Sequence, residues 1–181
     1  DGVDDWVEIP DLGQYSNFTI EIDINNQAIY SQETEARYGG IFGTRNWGSG
    51  KFALQILGNN NWDEGISSGV LSSVVDGGSN VGSQSNFHTD FIYQWVHISI
   101  TYESGDMMKL YINGILEDSN AANNVPVNLT GLSLGDLHTW DIRYFDGLFN
   151  DFRVWGWKNG KMNSRLWASI NSNDIIIFVE N

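Results

Sequence analysis

From Phe18 to Ile24 the chain alternates without a break, with Phe18, Ile20, Ile22 and Ile24 on one parity and Thr19, Glu21 and Asp23 on the other. A period-2 run of this kind makes a strand with one face against apolar partners and one face turned to water or a ligand. A helix would scatter the same isoleucines around its circumference. One strand cannot bury its own apolar face, so the rest of the chain has to supply a sheet and an opposing layer.

The stretch Arg143–Trp157, RYFDGLFNDFRVWGW, supplies another long strand. An Asp146-Gly147 turn leads into Leu148–Trp155, where Leu148, Asn150, Phe152 and Val154 share one parity and Phe149, Asp151, Arg153 and Trp155 the other. The second side sets a carboxylate and a guanidinium between two aromatics, an odd composition for a plain core face. Further strands are expected at 3–9, 40–44, 52–57, 95–102, 108–114, 115–117, 132–135 and 175–179, with a weaker one at 70–75. Asn113-Gly114 is the strongest hairpin signal. Residues 58–86 read as surface loops or a functional lid, and 161–170 as the only helical turn. Short strands punctuated by turns predict an all-β, antiparallel β-sandwich forming one domain over 1–181.

Charge and composition narrow the partners. The net charge is −14, from 23 acidic and nine basic residues, and that field opposes phosphate backbones, anionic membranes and sulfated or uronate polymers. It favours neutral ligands, Ca²⁺ or simple solubility. No nucleic-acid partner is expected. Nor is membrane insertion, since no apolar run approaches the roughly 20 residues of a span. Cysteine is absent, which removes disulfides, thiolate zinc sites and thiol nucleophiles. The acidic start, Asp1-Gly2-Val3-Asp4-Asp5, has no signal-peptide character.

Four segments in order resemble the laminin-G-like, concanavalin A-like jelly-roll domains. They are Asp1–Ile9, Phe18–Glu21, Trp95–Tyr102 with Lys109–Gly114, and Phe145–Val154. The resemblance is closest to the bacterial branch that accompanies glycan-degrading enzymes and adhesins. It implies two packed antiparallel sheets, one convex and one concave, with ligands on the concave sheet or the rim loops. It implies an extracellular or cell-surface location within a larger multidomain protein. It also implies a structural Ca²⁺ tying the N-terminal strand to the last long strand, which maps onto Asp1, Gly2 and Asp151; the alternative is that Asp151 merely pairs with Arg153. The same pattern makes Trp6, Trp95, Trp155 and Trp167 structural aromatics, with Trp157 beside them, and His97 a packed side chain.

Three tryptophans fall in loops outside that pattern: Trp47, Trp62 and Trp140. Sugar rings offer an apolar C–H face to an indole and hydroxyls to neighbouring polar groups. Arg45, Asn61, Asp63, His138 and Asp141 are the corresponding polar partners. The plain alternative is that each indole packs its own loop. Catalysis is disfavoured. Glu21 and Asp23 share a strand face, as glycoside hydrolysis requires, but the jelly-roll glucanases carry Glu-x-Asp-x-x-Glu and the third position here is Asn26. His88, His97 and His138 form no recognisable lyase arrangement. The expectation is a non-catalytic module binding a neutral polysaccharide or glycan. The competing class is a structural or protein–protein interaction domain of a surface protein.

Overall fold

A computed structural model describes residues 6–30, 38–46, 48–58, 69–137, 143–158, 161–171 and 174–180, with only the backbone described from 157 onward. The strands run β1 Val7–Ile9, β2 Gly13–Tyr15, β3 Asn17–Asn26, β4 Tyr38–Thr44, β5 Phe52–Leu57, β6 Leu71–Val75 and β7 Ser79–Gly82. A one-turn helix, α1 Phe87–Asp90, follows. Then come β8 Trp95–Glu103, β9 Met107–Ile112, β10 Ile115–Ala121, β11 Val127–Leu129, β12 Leu132–Leu134, β13 Gly147–Lys158, β14 Lys161–Asn171 and β15 Asp174–Glu180.

A seven-stranded antiparallel sheet has the order β10-β9-β8-β3-β13-β14-β15, and a six-stranded one the order β1-β12-β4-β5-β6-β7. The alternating run sits at the centre of the larger sheet, with β8 on one side and β13 on the other. Phe18, Ile20, Ile22 and Ile24 are buried there with Ile98, Ile100, Phe152 and Val154, against Phe42, Phe52, Leu54 and Ile56 of the facing sheet. Ring contacts between Phe42 and Phe152 at 4.7 Å and between Phe18 and Phe52 at 5.3 Å knit the layers. Each buried side chain of this size contributes about 1.5–3 kcal/mol. The sandwich is the expected architecture.

Two expectations fail locally. Residues 161–170 are not helical; they lie in β14, paired antiparallel with β13 and β15. Lys161, Met162, Arg165, Leu166 and Ala168 favour helix by propensity, but the sheet offers a partner on both sides and tertiary pairing wins. The parity of β13 is also not continuous. Asp151 adopts φ +47° and the register with β3 shifts between Asn150 and Arg153. This bulge turns Leu148 and Asn150 outward and lets Phe149 pack against the core, while Phe152 and Val154 face inward beyond it.

The two sheets are finished differently on their outer sides. On the six-stranded sheet the outward residues Ala53, Gln55 and Leu57 of β5 are buried. Leu137 and Arg143 pack on this side, against Gly40, Gly43 and Gln55. A Cβ on Gly40 would collide with the Arg143 carbonyl oxygen and the Leu137 side chain, so only glycine admits this close approach. The Gly40 N–H donates to that carbonyl at 2.8 Å. Arg143 donates to Gln55 Oε1 at 2.6 Å and stacks 4.2 Å above the Tyr38 ring.

Candidate functional site

The outer face of the seven-stranded sheet keeps its polar parity in the open. Thr19, Glu21 and Asp23 of β3 stand there half-buried, as do His97, Ser99 and Thr101 of β8. Pairing sets them in rows across the strands. Trp155, Thr19, Thr101 and Lys109 form one row, and Arg153, Glu21, Ser99 and Tyr111 the next. Asp23 and His97 form a third. Short side chains thus occupy the middle strands β3 and β8, while the longer Trp155, Arg153, Lys109 and Tyr111 stand on the strands flanking them.

Hydrogen bonds fix the orientation of several of these groups. The Trp155 indole N–H donates to Glu21 Oε2 at 3.1 Å. Arg153 Nη2 meets Asp151 Oδ2 at 2.6 Å. His97 Nδ1 lies 2.7 Å from Asp23 Oδ1. In the tautomer that points its proton from Nδ1 to that carboxylate, a neutral imidazole there keeps Nε2 as an acceptor. The His97 backbone N–H is itself held by the Asn113 side-chain oxygen at 3.0 Å. A hollow of about 260 Å³ opens at the Trp155 end of the face, lined among others by Asn17, Thr19, Thr101, Glu103, Met107 and Lys109. With Asp106 also in its lining, it offers an amide, two threonine hydroxyls, two carboxylates and an ammonium around a thioether. That is chemistry for a ligand carrying many hydroxyls on an apolar frame.

The expected rim residues fare differently. Trp47, Asn61, Trp62, Asp63, His138, Trp140 and Asp141 lie outside the described residues, as do Asp1 and Gly2. Arg45 is described, and it is already engaged: Nη2 sits 3.1 Å from the buried Asp136 carboxylate, and the guanidinium lies 3.9 Å above the Trp6 ring. Burial pushes the Asp136 carboxyl above its ordinary range and the Arg45 charge pulls it back. This pair ties Arg45, just past the end of β4, to Asp136, two residues after β12. Among the described residues no three His, Asp or Glu side chains converge into a metal-holding group. Asp151, the described member of the expected Ca²⁺ set, shares its carboxylate with Arg153.

The outward Thr19, Glu21 and Asp23 match the wet or ligand-facing side expected of Phe18–Ile24, but Trp95, Trp155 and His97 are not the purely structural side chains that the family pattern implies. Trp95 is 52% exposed and Trp6 37%, so neither is sealed in the core. Trp155 is half-buried on the outer face, and the His97 side chain is 42% exposed there rather than packed. The signal was available in parity: Trp95 and His97 share theirs with Ser99 and Thr101, and Trp155 shares its own with Arg153.

A family model described as the concanavalin A-like lectin/glucanases superfamily, Laminin_G_3, matches residues 1–158. No curated protein matches the chain in sequence. Among solved structures, a heptameric SAP-like pentraxin from Limulus polyphemus is similar at 17% identity and a TM-score of 0.57, over 86% of this chain and 71% of that one. Domain 4 of the extracellular arabinanase AbnA from Geobacillus stearothermophilus, solved with arabinotriose, is similar at 18% identity and a TM-score of 0.51, over 83% of this chain and 66% of that one. A botulinum neurotoxin type C structure, described as depending on two ganglioside molecules for cell entry, is similar at 16% identity and a TM-score of 0.50. That likeness covers 78% of this chain and 32% of that one. At these identities the likeness is one of fold.

Proposed function

The chain belongs to the Laminin_G_3 family of the concanavalin A-like lectin/glucanase superfamily, and from that membership we propose that it is a non-catalytic carbohydrate-binding domain taking a neutral glycan on the open face of its seven-stranded sheet. The observation that carries the reading is the Trp155 row: an outward indole fixed by Glu21, in register with Thr19 and Thr101, beside a hollow ringed by hydrogen-bonding groups. The indole supplies the stacking plane and the hydroxyls and amide supply the directional bonds. The arabinotriose named for the arabinanase domain is the class of ligand brought to this chain as part of the proposal. Trp47, Trp62 and Trp140, with Arg45, Asn61, Asp63, His138 and Asp141, are proposed as rim candidates, at least one of the three indoles stacking on the glycan.

Glu21 and Asp23 orient neighbours in this reading rather than cleave a bond. Glu21 holds the Trp155 indole and Asp23 holds His97. Asn26, at the third position of the glucanase motif, is buried with its amide donating to the Ala28 carbonyl. Affinity is expected in the μM to mM range, so repeated domains or an attached enzyme within an extracellular multidomain protein would supply avidity.

Calorimetry against neutral plant and algal polysaccharides tests the reading. Saturable binding that is lost in Trp155→Ala, with no reducing ends released, supports it. Absence of binding to every neutral glycan overturns it. Binding that survives Trp155→Ala but fails when Trp47, Trp62 and Trp140 are all changed to Ala moves the site to the rim and overturns the open face. A structural Ca²⁺ on Asp1, Gly2 and Asp151 belongs to the same proposal, and it has to compete with the Arg153 guanidinium for the Asp151 carboxylate. Added Ca²⁺ should raise the melting temperature and chelator lower it; an unchanged curve removes the ion.

A further inference from the structure

The open face does not end at Trp155. Along β8 the outward parity runs Thr101, Ser99, His97, Trp95, and along β3 Thr19, Glu21, Asp23, Asn25, with each pair in register. At the far end Trp95 is 52% exposed, and Leu148 stands in the same row across Asn25 at 49%. Tyr93, two residues before Trp95, is 68% exposed. Its backbone sits at φ +59°, a conformation a bulky residue adopts only under constraint. The Tyr93 N–H is fixed to the Asn26 carbonyl at 2.8 Å, which locks that geometry. Strained backbone beneath an exposed aromatic is grounds for a functional hypothesis, and large apolar side chains left exposed in one row are candidates for a contact.

Resting on the glycan reading above, we propose that Trp95, with Tyr93, is a second stacking platform, and that the ligand is an extended oligosaccharide stretch lying along β3 and β8 between Trp95 and Trp155. Six residues of β8 separate the Trp95 row from the Thr101 row, about 20 Å at strand rise, with two strand spacings of sideways offset. That distance suits a linear chain of roughly four or five sugar rings rather than a mono- or disaccharide. The groups between the platforms serve the middle rings. His97 Nε2 offers an acceptor, Ser99 and Tyr111 offer hydroxyls, and the Asp23 and Glu21 carboxylates stay engaged with His97 and Trp155. Polar centre and apolar ends match a chain whose terminal rings stack while its inner rings are held by hydrogen bonds.

Calorimetry with cello-, xylo- and arabino-oligosaccharide ladders of about two to six units tests the span directly. In whichever ladder binds, affinity should climb about tenfold from two to five units and then level, as a second stacking contact is engaged. Trp95→Ala should flatten the ladder, so that a pentasaccharide binds the variant as a disaccharide binds the parent. Trp155→Ala should weaken every member. Tyr93→Ser, a change at an exposed turn, should produce a smaller loss, about two- to threefold, confined to the long members. A ceiling already reached at two units overturns the proposal, as does a Trp95→Ala ladder superimposable on the parent's. A Trp95→Ala effect on self-association alone would likewise overturn it, making Trp95 a protein contact. Failure of every ladder and every neutral polysaccharide falls on the glycan reading itself, and so is distinct from failure of the span.

Discussion

The two outer sheet faces have the same origin, the second parity of strands whose first parity fills the core, yet they end in opposite states. On the six-stranded sheet Ala53, Gln55 and Leu57 are buried, with Leu137 packed against Gly40 and Gly43 and Arg143 bonded to Gln55. On the seven-stranded sheet Thr19, Glu21, Asp23, His97, Ser99 and Thr101 remain within reach of solvent. Composition decides which face is closed. Ala and Leu cannot be left wet without loss, and Gly40 lets the Arg143 carbonyl and Leu137 come close on that side. Thr, Ser, Asp and His pay little for exposure, and covering them would demand a hydrogen-bond partner for each. One face is therefore closed for stability and the other, in the function proposed above, is left for recognition, so substitutions on the two should separate into different kinds of loss.

The largest expected effect lies on the closed face. Leu137 is fully buried against Gly40 and Gly43. Leu137→Ala should destabilise the domain by about 2–4 kcal/mol through lost transfer energy and a residual cavity, read as a shift in urea midpoint. Gly40→Val should do at least as much, because its added side chain meets the Arg143 backbone and not a flexible tip. A loss below roughly 1 kcal/mol in both would mean that Leu137 and Arg143 close this side only loosely, and the contrast between the faces would disappear.

Much of the covered face was illegible in sequence, whereas the open face was visible and misread. Phe18–Ile24 declared its own burial pattern, and Asn113-Gly114 its hairpin, both residues taking positive φ as that turn demands. The covered face has no such code. Residues 135–146 lack periodicity, and the contacts that Leu137 and Arg143 make with β4 and β5 are long-range: a carbonyl against a glycine, one buried leucine and a guanidinium on Gln55. β2 and β11, three residues each, pair with one another at Gly13–Tyr15 and Val127–Leu129, and runs this short carry too little alternation to register. In β13 the bulge at Asp151 broke a parity that the sequence alone presents as continuous. Trp95 and Trp155 were legible by parity, but a family pattern assigning them to the core outweighed it.

An intermediate effect concerns pH at the edge of the covered sheet. Tyr30 packs onto Gly39, accepts the Asp146 N–H at 2.8 Å through its hydroxyl, and donates its own backbone N–H to His88 Nδ1 at 3.2 Å. That acceptor exists only on a neutral imidazole. Burial lowers the His88 pKa from 6.5, with Asp90 opposing. The unfolded imidazole therefore binds its proton at higher pH than the folded one, and stability should fall as pH drops below about 6.5. The slope from this single group is at most about 1.4 kcal/mol per pH unit, and it ends once the folded imidazole is also protonated. Urea melts between pH 7 and 5 should show the fall in the parent and a shallower one in His88→Gln. Equal slopes would remove His88 as the cause.

The smallest expected effect is the sharpest test of the open face. Asp23 and His97 form a short pair, 2.7 Å apart, but their side chains are 29% and 42% exposed. Water and salt screen such a pair, and measured values for exposed ion pairs run from about 0 to 1 kcal/mol. Asp23→Asn keeps the size of the side chain and a hydrogen-bond partner for Nδ1 in either tautomer, so its stability change should stay within that range and shrink further at high salt. Its effect on ligand should be larger than its effect on folding, because an Asn can present its amide nitrogen to Nδ1 and reverse the imidazole tautomer, turning Nε2 from acceptor to donor. Oligosaccharide affinity should then drop while the melting curve hardly moves. A stability loss beyond roughly 2 kcal/mol with unchanged affinity would reverse the assignment: the pair would be a structural strut, and the open face would be a second load-carrying surface rather than a place kept free for a sugar.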